Sequence, residues 1–93
     1  MFEWNDAKAA RNEREHGIRF DVAARVFDDP WRIEIDVSRK RDGEERRKTV
    51  GRIGDRLFAV VFTMRGAVRR LISARRTNGK EEKLYGDCSQ DAG

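Results

Sequence analysis

The fold is decided by the stretch Arg56-Leu57-Phe58-Ala59-Val60-Val61-Phe62-Thr63-Met64-Arg65-Gly66-Ala67-Val68-Arg69-Arg70-Leu71-Ile72-Ser73-Ala74-Arg75-Arg76. Two segments rich in β-branched and aromatic residues flank a turn at Gly66, which predicts a β-hairpin. Residues 57–62 are apolar at every position rather than at alternate ones. This strand is therefore expected to be covered on both faces and to lie centrally in its sheet.

The second strand of the hairpin carries arginines among its apolar residues. Because side chains alternate along a strand, one face is predicted to hold Arg69, Leu71, Ser73 and Arg75, and the other Val68, Arg70, Ile72 and Ala74. The first of these faces combines two arginines with a hydroxyl group.

The length of 93 residues corresponds to one domain with a modest core. Charged residues make up 41% of the chain, yet five Phe and two Trp keep it on the globular side of the disorder boundary. No apolar stretch is long enough to span a membrane and no signal peptide is evident, so a cytoplasmic protein is expected. The single Cys88 can form neither an internal disulfide nor a cysteine cluster for zinc.

Positive charge is concentrated in the middle of the chain. Residues 31–76 contain 14 Lys and Arg against 6 Asp and Glu, a net charge of +8, whereas residues 1–30 and 77–93 each carry a net charge of −2. A basic middle between mildly acidic ends suggests a surface that faces a polyanion, such as nucleic acid or an acidic protein. A charge-rich solvated surface is the alternative.

Start and stop signals predict the remaining elements. A short strand at residues 1–4 precedes a helix at 7–16, capped by Asn5 or Asp6 and stopped by Gly17. A second helix at 22–27 begins after Asp21 and ends before Pro30. Alternation then predicts a strand at 31–37 with Trp31, Ile33, Ile35 and Val37 facing the core, a loop at 38–45, and a strand at 46–53 ending in a Gly54-Asp55 turn.

A last helix is predicted at residues 79–85, with an Asn78–Glu81 capping box and a stop at Gly86. The order of elements indicates an α+β fold with an antiparallel sheet, helices packed on one face, and an open basic face on the other. Residues 1–86 are expected to form a single domain, and residues 87–93 a disordered tail.

Several short motifs resemble the BrnT family of bacterial toxins, in order and in spacing. They are Phe2-Glu3-Trp4-Asn5 with Lys8-Ala9, Asn12, His16-Gly17, Val26-Phe27-Asp28-Asp29-Pro30, Gly43-Glu44-Glu45-Arg46 and Ile72-Ser73-Ala74-Arg75. The resemblance implies a RelE-like fold and an endoribonuclease that inhibits translation as the toxin of a type II toxin–antitoxin system. It also implies neutralisation by a BrnA-like ribbon-helix-helix antitoxin, which would make the DNA contact. Many relatives carry a His-Ser pair where this chain has Lys40-Arg41. If that histidine is the proton acceptor in the family, this chain needs another base or is a poorer enzyme.

Cleavage of RNA without a metal needs a base, an acid and cations that stabilise the charge on phosphorus. In the light of the resemblance, Arg75 and Arg46 are candidates to bind one phosphate, Glu44 to accept a proton or orient Arg46, and Lys40 to bind phosphate or donate a proton. Arg69, Arg76, Lys80 and Tyr85 are candidates to bind the RNA. No metal or other cofactor is expected.

Each candidate has a plain structural alternative. Arg75 also fits a salt bridge or a cap on the last helix, Tyr85 fits an anchor for that helix, and His16 fits packing at a helix end. Glu44 and Lys40 fit simple solvation. At the level of function, the alternative to a toxin ribonuclease is a non-catalytic module whose basic face binds nucleic acid or an antitoxin.

Overall fold

The computed structural model describes residues 1–92 of the chain, with side chains through Cys88. The elements in chain order are β1 (Phe2–Glu3), α1 (Asp6–His16), α2 (Phe20–Ala23) with a following 3-10 turn (Ala24–Asp28), β2 (Ile33–Asp36), a 3-10 turn (Lys40–Asp42), β3 (Arg47–Ile53), β4 (Arg56–Arg65), β5 (Val68–Arg76) and α3 (Gly79–Ala92). The α+β fold is confirmed. None of the helices in the described part of the chain combines the length and apolar character that crossing a bilayer requires.

The five strands form one sheet in the order β1-β5-β4-β3-β2. Strand β4 lies in the middle, as the unbroken apolar run at 57–62 predicts. Short connections make the pairs β2–β3, β3–β4 and β4–β5 antiparallel, whereas β1 joins β5 in parallel. The sheet is therefore mixed, because a strand from the start of the chain reaches its neighbour without a hairpin turn.

The first face of the sheet is covered by α1, α2 and the 3-10 turn that follows α2. Their apolar side chains and those of β4 and β5 form the main core, which includes Phe20, Val26, Phe62, Leu71 and Ala74. The second helix was predicted at 22–27. It begins earlier, after Arg19, and its second half is 3-10 rather than α-helical.

Helix α1 follows its sequence signals closely. The Asn5 side chain accepts a hydrogen bond from the Lys8 N–H (3.0 Å), and Gly17 ends the helix with φ of 70°. The buried Asn12 binds the outer edge of β5: its amide donates to the Ala74 carbonyl (2.9 Å) and its oxygen accepts from the Ala74 N–H (3.0 Å). A side-chain amide thus supplies the pairing that a further strand would otherwise give.

Helix α3 packs on the second face, so the helices are not all on one side of the sheet. Tyr85 is buried with Val50 and Ala59, whose side chains point away from the main core. The Asn78–Glu81 capping box is confirmed by reciprocal hydrogen bonds of 2.9 and 3.1 Å. The predicted stop at Gly86 is wrong, because glycine is tolerated within a helix and α3 continues to Ala92.

The division into a domain at 1–86 and a tail at 87–93 stays a prediction. Gly93, the last residue of that tail, lies outside the described residues. Trp31, expected to face the core, is 47% exposed, because β2 begins only at Ile33.

A β-bulge in β5 changes which arginines share a face. Val61 pairs with Ser73 and Phe62 with Leu71, so Ile72 is an extra residue on β5. Because one extra residue reverses the alternation beyond it, Arg69 joins the main core face and Arg70 moves to the second face. The predicted grouping of Arg69 with Ser73 and Arg75 is therefore wrong.

Candidate active site

Four cationic side chains lie on the second face between α3 and the loop that joins β2 to β3. Strand pairing and alternation place them there with the hydroxyls of Thr63 and Ser73. We call this set the cationic strip, and its members are Arg46, Lys48, Arg70 and Arg75. The predicted open basic face thus exists, but α3 covers one end of it.

At that end, Glu81 of α3 holds two members of the strip. The two terminal guanidinium nitrogens of Arg75, Nη1 and Nη2, each donate to a different oxygen of the Glu81 carboxylate at 2.8 Å, and the Lys48 ammonium lies 2.7 Å from that carboxylate. The Glu81 side chain is only 3% exposed. Burial opposes the charged form of Glu81, but hydrogen bonds from Arg75, Lys48 and the backbone N–H of the cap outweigh it and lower the pKa to about 2.

The same carboxylate raises the pKa of Arg75, chiefly through their hydrogen bonds. Arg75 is therefore a fixed cation with its guanidinium plane set by the fork-to-fork contact. Its side chain remains 37% exposed, so one edge faces solvent above the strip. The sequence suggested two interpretations of Arg75, and this geometry contains a part of each. Arg75 forms a salt bridge to the last helix, and it also lies on the basic face.

Arg46 lies at the opposite end of the strip, beside the loop that joins β2 to β3. The Ser38 hydroxyl accepts from the Arg46 N–H (2.8 Å), and the Val37 N–H donates to the Arg46 carbonyl (2.9 Å). These bonds extend the β2–β3 ladder to the base of the loop. The Arg46 guanidinium lies 3.3 Å from Glu44 and 3.8 Å from Asp42. Glu44 thus has the contact needed to orient Arg46.

Lys48 lies between the two ends. By strand register, Arg46 and Arg75 are offset by about 13 Å along the strand direction, at roughly 3.3 Å per residue. Lys40 is exposed in the 3-10 turn of the loop, near Arg46 in the chain. An extended anion with more than one charge fits this spacing, since its charges can meet cations in succession.

The four predicted RNA-binding residues do not form one surface. The Arg69 guanidinium lies over the Phe27 ring, 4.3 Å from its centroid, on the main core face. Arg76 lies over Phe58 at 5.7 Å, and Lys80 is exposed near the start of α3. Each arginine is held by cation–π contact rather than aimed across the strip.

Tyr85 serves as an anchor in this structure. Its ring is 5% exposed, and its hydroxyl donates to the Asp29 carboxylate at 2.7 Å. The same carboxylate accepts from the N–H groups of Trp31 and Arg52. Burial of Tyr85 raises its pKa, and the hydrogen-bonded Asp29 acts in the same direction. A buried ring cannot stack on a base, so stacking by Tyr85 would require α3 to leave the sheet.

Sequence reasoning missed Lys48, Arg70 and Glu81. The strand at 46–53 was predicted, so alternation from Arg46 already offered Lys48 as a neighbour on the same face. Glu81 was recognised only as a cap. Arg70 was hidden by the bulge at Ile72, for which the sequence carries no glycine or proline signal. His16 lies at the far end of α1, 3.9 Å from Glu15, and does not belong to the strip.

Comparison with models of known protein families gives a match over most of the chain. Residues 4–81 match the model of a family described as the ribonuclease toxin, BrnT, of type II toxin-antitoxin systems. The matched range contains every residue of the cationic strip and Glu81. A search of curated proteins finds no match. Within the described residues, no group of three or more His, Cys, Asp or Glu side chains is placed to hold a metal ion.

Proposed function

Since this chain belongs to the BrnT family of ribonuclease toxins of type II toxin–antitoxin systems, we propose that it is a metal-independent endoribonuclease acting from the cationic strip. The observation that carries the proposal is the pair of cations, Arg75 and Lys48, fixed on the buried Glu81 carboxylate. Cations held in place before the reaction stabilise developing charge without having to reorganise. Cleavage of messenger RNA in the cytoplasm would inhibit translation.

The proposed reaction is attack of a ribose 2′-oxygen on the adjacent phosphorus. A bond forms between the 2′-oxygen and phosphorus, and the bond from phosphorus to the 5′-oxygen breaks. The 2′-hydroxyl proton passes to Glu44, and a proton from Lys40 goes to the leaving 5′-oxygen. The products are a 2′,3′-cyclic phosphate and a 5′-hydroxyl. In this proposal the reacting phosphate lies beside Lys48, between the two ends of the strip, and Lys48 stabilises the negative charge on its phosphoryl oxygens together with the facing edges of Arg46 and Arg75.

The family implies an antitoxin partner. We propose that it is a BrnA-like ribbon-helix-helix protein and that it, rather than this chain, contacts DNA. Residues 31–76 carry a net charge of +8, so an acidic partner would associate quickly and with strong dependence on salt. Tight binding of the isolated chain to operator DNA would contradict this assignment.

A non-catalytic binding module is the second candidate, and one observation favours it. Glu81 already occupies the inner edge of Arg75, which leaves that guanidinium less charge to offer a phosphate. His16, the one histidine in the sequence, lies away from the strip and offers no base there. A basic face of this kind can bind RNA without cutting it.

An RNA cleavage assay in EDTA separates the two candidates. Purified protein is expected to cleave single-stranded RNA and to leave 2′,3′-cyclic phosphate or 3′-phosphate ends. Cleavage that appears only with added Mg²⁺ would overturn the metal-independent mechanism. Binding of RNA without cleavage, together with normal growth of cells that express the chain alone, would establish the binding module.

Arg75→Ala tests the role of the strip. Loss of one preorganised donor should reduce turnover by about 10² to 10³, by analogy with removal of an oxyanion-hole donor. RNA affinity should fall far less because other cations share the phosphates. The paired geometry implies a cost of roughly 2 kcal/mol in stability, more than for a typical surface arginine.

The assay for Arg75→Ala must therefore be run well below the melting temperature of the variant. Arg25→Ala is the matched control, because Arg25 is an exposed arginine outside the strip. Antitoxin binding by Arg75→Ala should be retained. Retained toxicity, or a loss of activity that follows unfolding, would remove Arg75 from the catalytic site.

A further inference from the structure

A cleft of about 390 Å³ opens on the first face of the sheet, where α1 ends and α2 begins. Its floor is apolar and consists of Ile18, Val22 and Phe58. Its rim carries the arginines at positions 19, 56 and 76. Ile18 is buried, whereas Val22 is 37% exposed, so the floor remains open to an incoming side chain.

The rim is strongly basic. Arg19 is paired with Asp21 at 2.9 Å. Among the residues whose side chains are described, neither Arg56 nor Arg76 has a carboxylate partner. Glu13 is the acidic residue on the opposite wall. The cleft therefore combines exposed apolar surface with two arginines that form no ion pair within the described residues.

The cleft and the cationic strip lie on opposite faces of the sheet. Arg75 and Arg76 are consecutive residues of β5, and Arg75 meets Glu81 on the second face while Arg76 covers Phe58 on the first. A ligand in the cleft would thus lie behind the strip rather than across it. It would leave Arg75 and Lys48 uncovered.

We propose that this cleft is a docking site for an acidic amphipathic segment of the antitoxin, with one apolar side chain seated against the exposed Val22 and carboxylates meeting Arg56 and Arg76. This inference rests on the proposed function in assuming a protein antitoxin. Complementary charge around an apolar centre is the usual arrangement of a specific protein interface.

RNA is a poorer fit to the same cleft. Single-stranded RNA binds through aromatic faces on which bases can stack. Here the Phe58 ring is capped by Arg76, and the exposed part of the floor is the aliphatic Val22. A strand bound on the second face would also have to pass round the edge of the sheet to enter the cleft.

The probe for the test is the protein encoded by the reading frame next to this gene, titrated onto the full chain by fluorescence anisotropy at two salt concentrations. Arg56→Glu/Arg76→Glu should weaken its binding by at least about tenfold and reduce the salt dependence. Arg25→Glu/Arg65→Glu makes the same change in net charge at exposed arginines outside the cleft and should change the affinity less than about threefold.

Val22→Arg separates docking from simple charge attraction. It adds positive charge but fills the cleft, so docking predicts weaker binding and mere attraction predicts tighter binding. Thermal melts of all variants show whether they are folded. RNA cleavage by free Val22→Arg should stay within about threefold of the parent, since Val22 lies on the face opposite the strip.

Four outcomes would overturn the inference. The first is that the parent chain does not bind the probe, and the second is that the two double variants lose the same amount of affinity for it. The third is that Val22→Arg binds the probe more tightly than the parent chain. The fourth is that Arg56→Glu/Arg76→Glu loses RNA cleavage as strongly as probe binding, which would mean that RNA passes through the cleft. Failure of the proposed function is a separate result. In that case the chain would not cleave RNA, although its binding to the probe would still depend on the cleft.

Discussion

Glu81→Gln should expose how much the fold depends on a single buried carboxylate. Glu81 has an ordinary pKa of 4.5 that is lowered to about 2 in the folded protein. At 1.36 kcal/mol per pH unit, this difference stabilises the folded state by roughly 3 kcal/mol at neutral pH. Glutamine keeps the shape and one oxygen for the cap of α3 but removes the charge that Lys48 and Arg75 share. The melting temperature should fall by roughly 10–25 °C for a domain of this size.

The pH dependence gives the stricter test of the same variant. A carboxyl whose folded pKa lies below its unfolded value stabilises the protein above the unfolded value and loses that effect as the pH falls. Here the loss should run from about pH 4.5 down towards pH 2, with about 2 kcal/mol gone by pH 3. The difference in unfolding free energy between parent and Glu81→Gln, measured in urea, should therefore shrink from about 3 kcal/mol at pH 7 to about 1 at pH 3.

Glu82→Gln is the matched control, because Glu82 is the exposed neighbour on the same helix. Among the hydrogen bonds of the described residues, its carboxylate accepts only from the Thr77 hydroxyl, at 3.1 Å. Its substitution should cost less than about 0.5 kcal/mol at either pH. The reasoning would be refuted by a Glu81→Gln cost below about 1 kcal/mol at pH 7, or by one that is the same at pH 7 and pH 3.

Three further substitutions test the packing. Asn12→Ala leaves the buried Ala74 N–H and carbonyl without their partner and should cost about 2 kcal/mol in urea unfolding; a cost under about 0.5 kcal/mol would mean that α1 does not hold the edge of β5. Gly51→Ala would place a Cβ 2.9 Å from the Val26 Cβ and carbonyl oxygen and should cost about 1–3 kcal/mol. Gly86→Ala, in the open interior of α3, should instead stabilise by up to about 1 kcal/mol, and equal effects at the two glycines would contradict the close packing at Gly51.

Local signals predicted the parts of the fold that depend on near neighbours in the chain. The cap at Asn5, the stop at Gly17 and the reciprocal Asn78–Glu81 box each satisfy backbone groups within one turn, so spacing alone identifies them. The central position of β4 also follows locally, because a strand that is apolar at every position must be covered on both faces.

Features that depend on long-range contacts could not be predicted in this way. Which face receives α3 is decided by Tyr85 reaching Asp29, 56 positions earlier in the chain. The bulge at Ile72 arises from the register of β5 against β4, and the sequence has no glycine or proline at Ile72 that would predict it. For that reason the prediction placed Arg75 on the same face as Ser73, as the structure does, but exchanged the faces of Arg69 and Arg70.

The pair of hydrogen bonds between the Asn12 amide and the backbone of Ala74, here called the clasp, also affects whether the sheet can associate with other chains. An uncovered strand edge invites pairing with a strand of another chain and so promotes aggregation. On the β5 side of the sheet, β1 pairs with β5 at Arg69 and Arg70, and the Asn12 side-chain amide hydrogen-bonds the backbone of Ala74. The other edge is β2, which has four residues and carries Glu34 and Asp36. Loss of the clasp should therefore show itself first as self-association during expression, before any change in RNA cleavage.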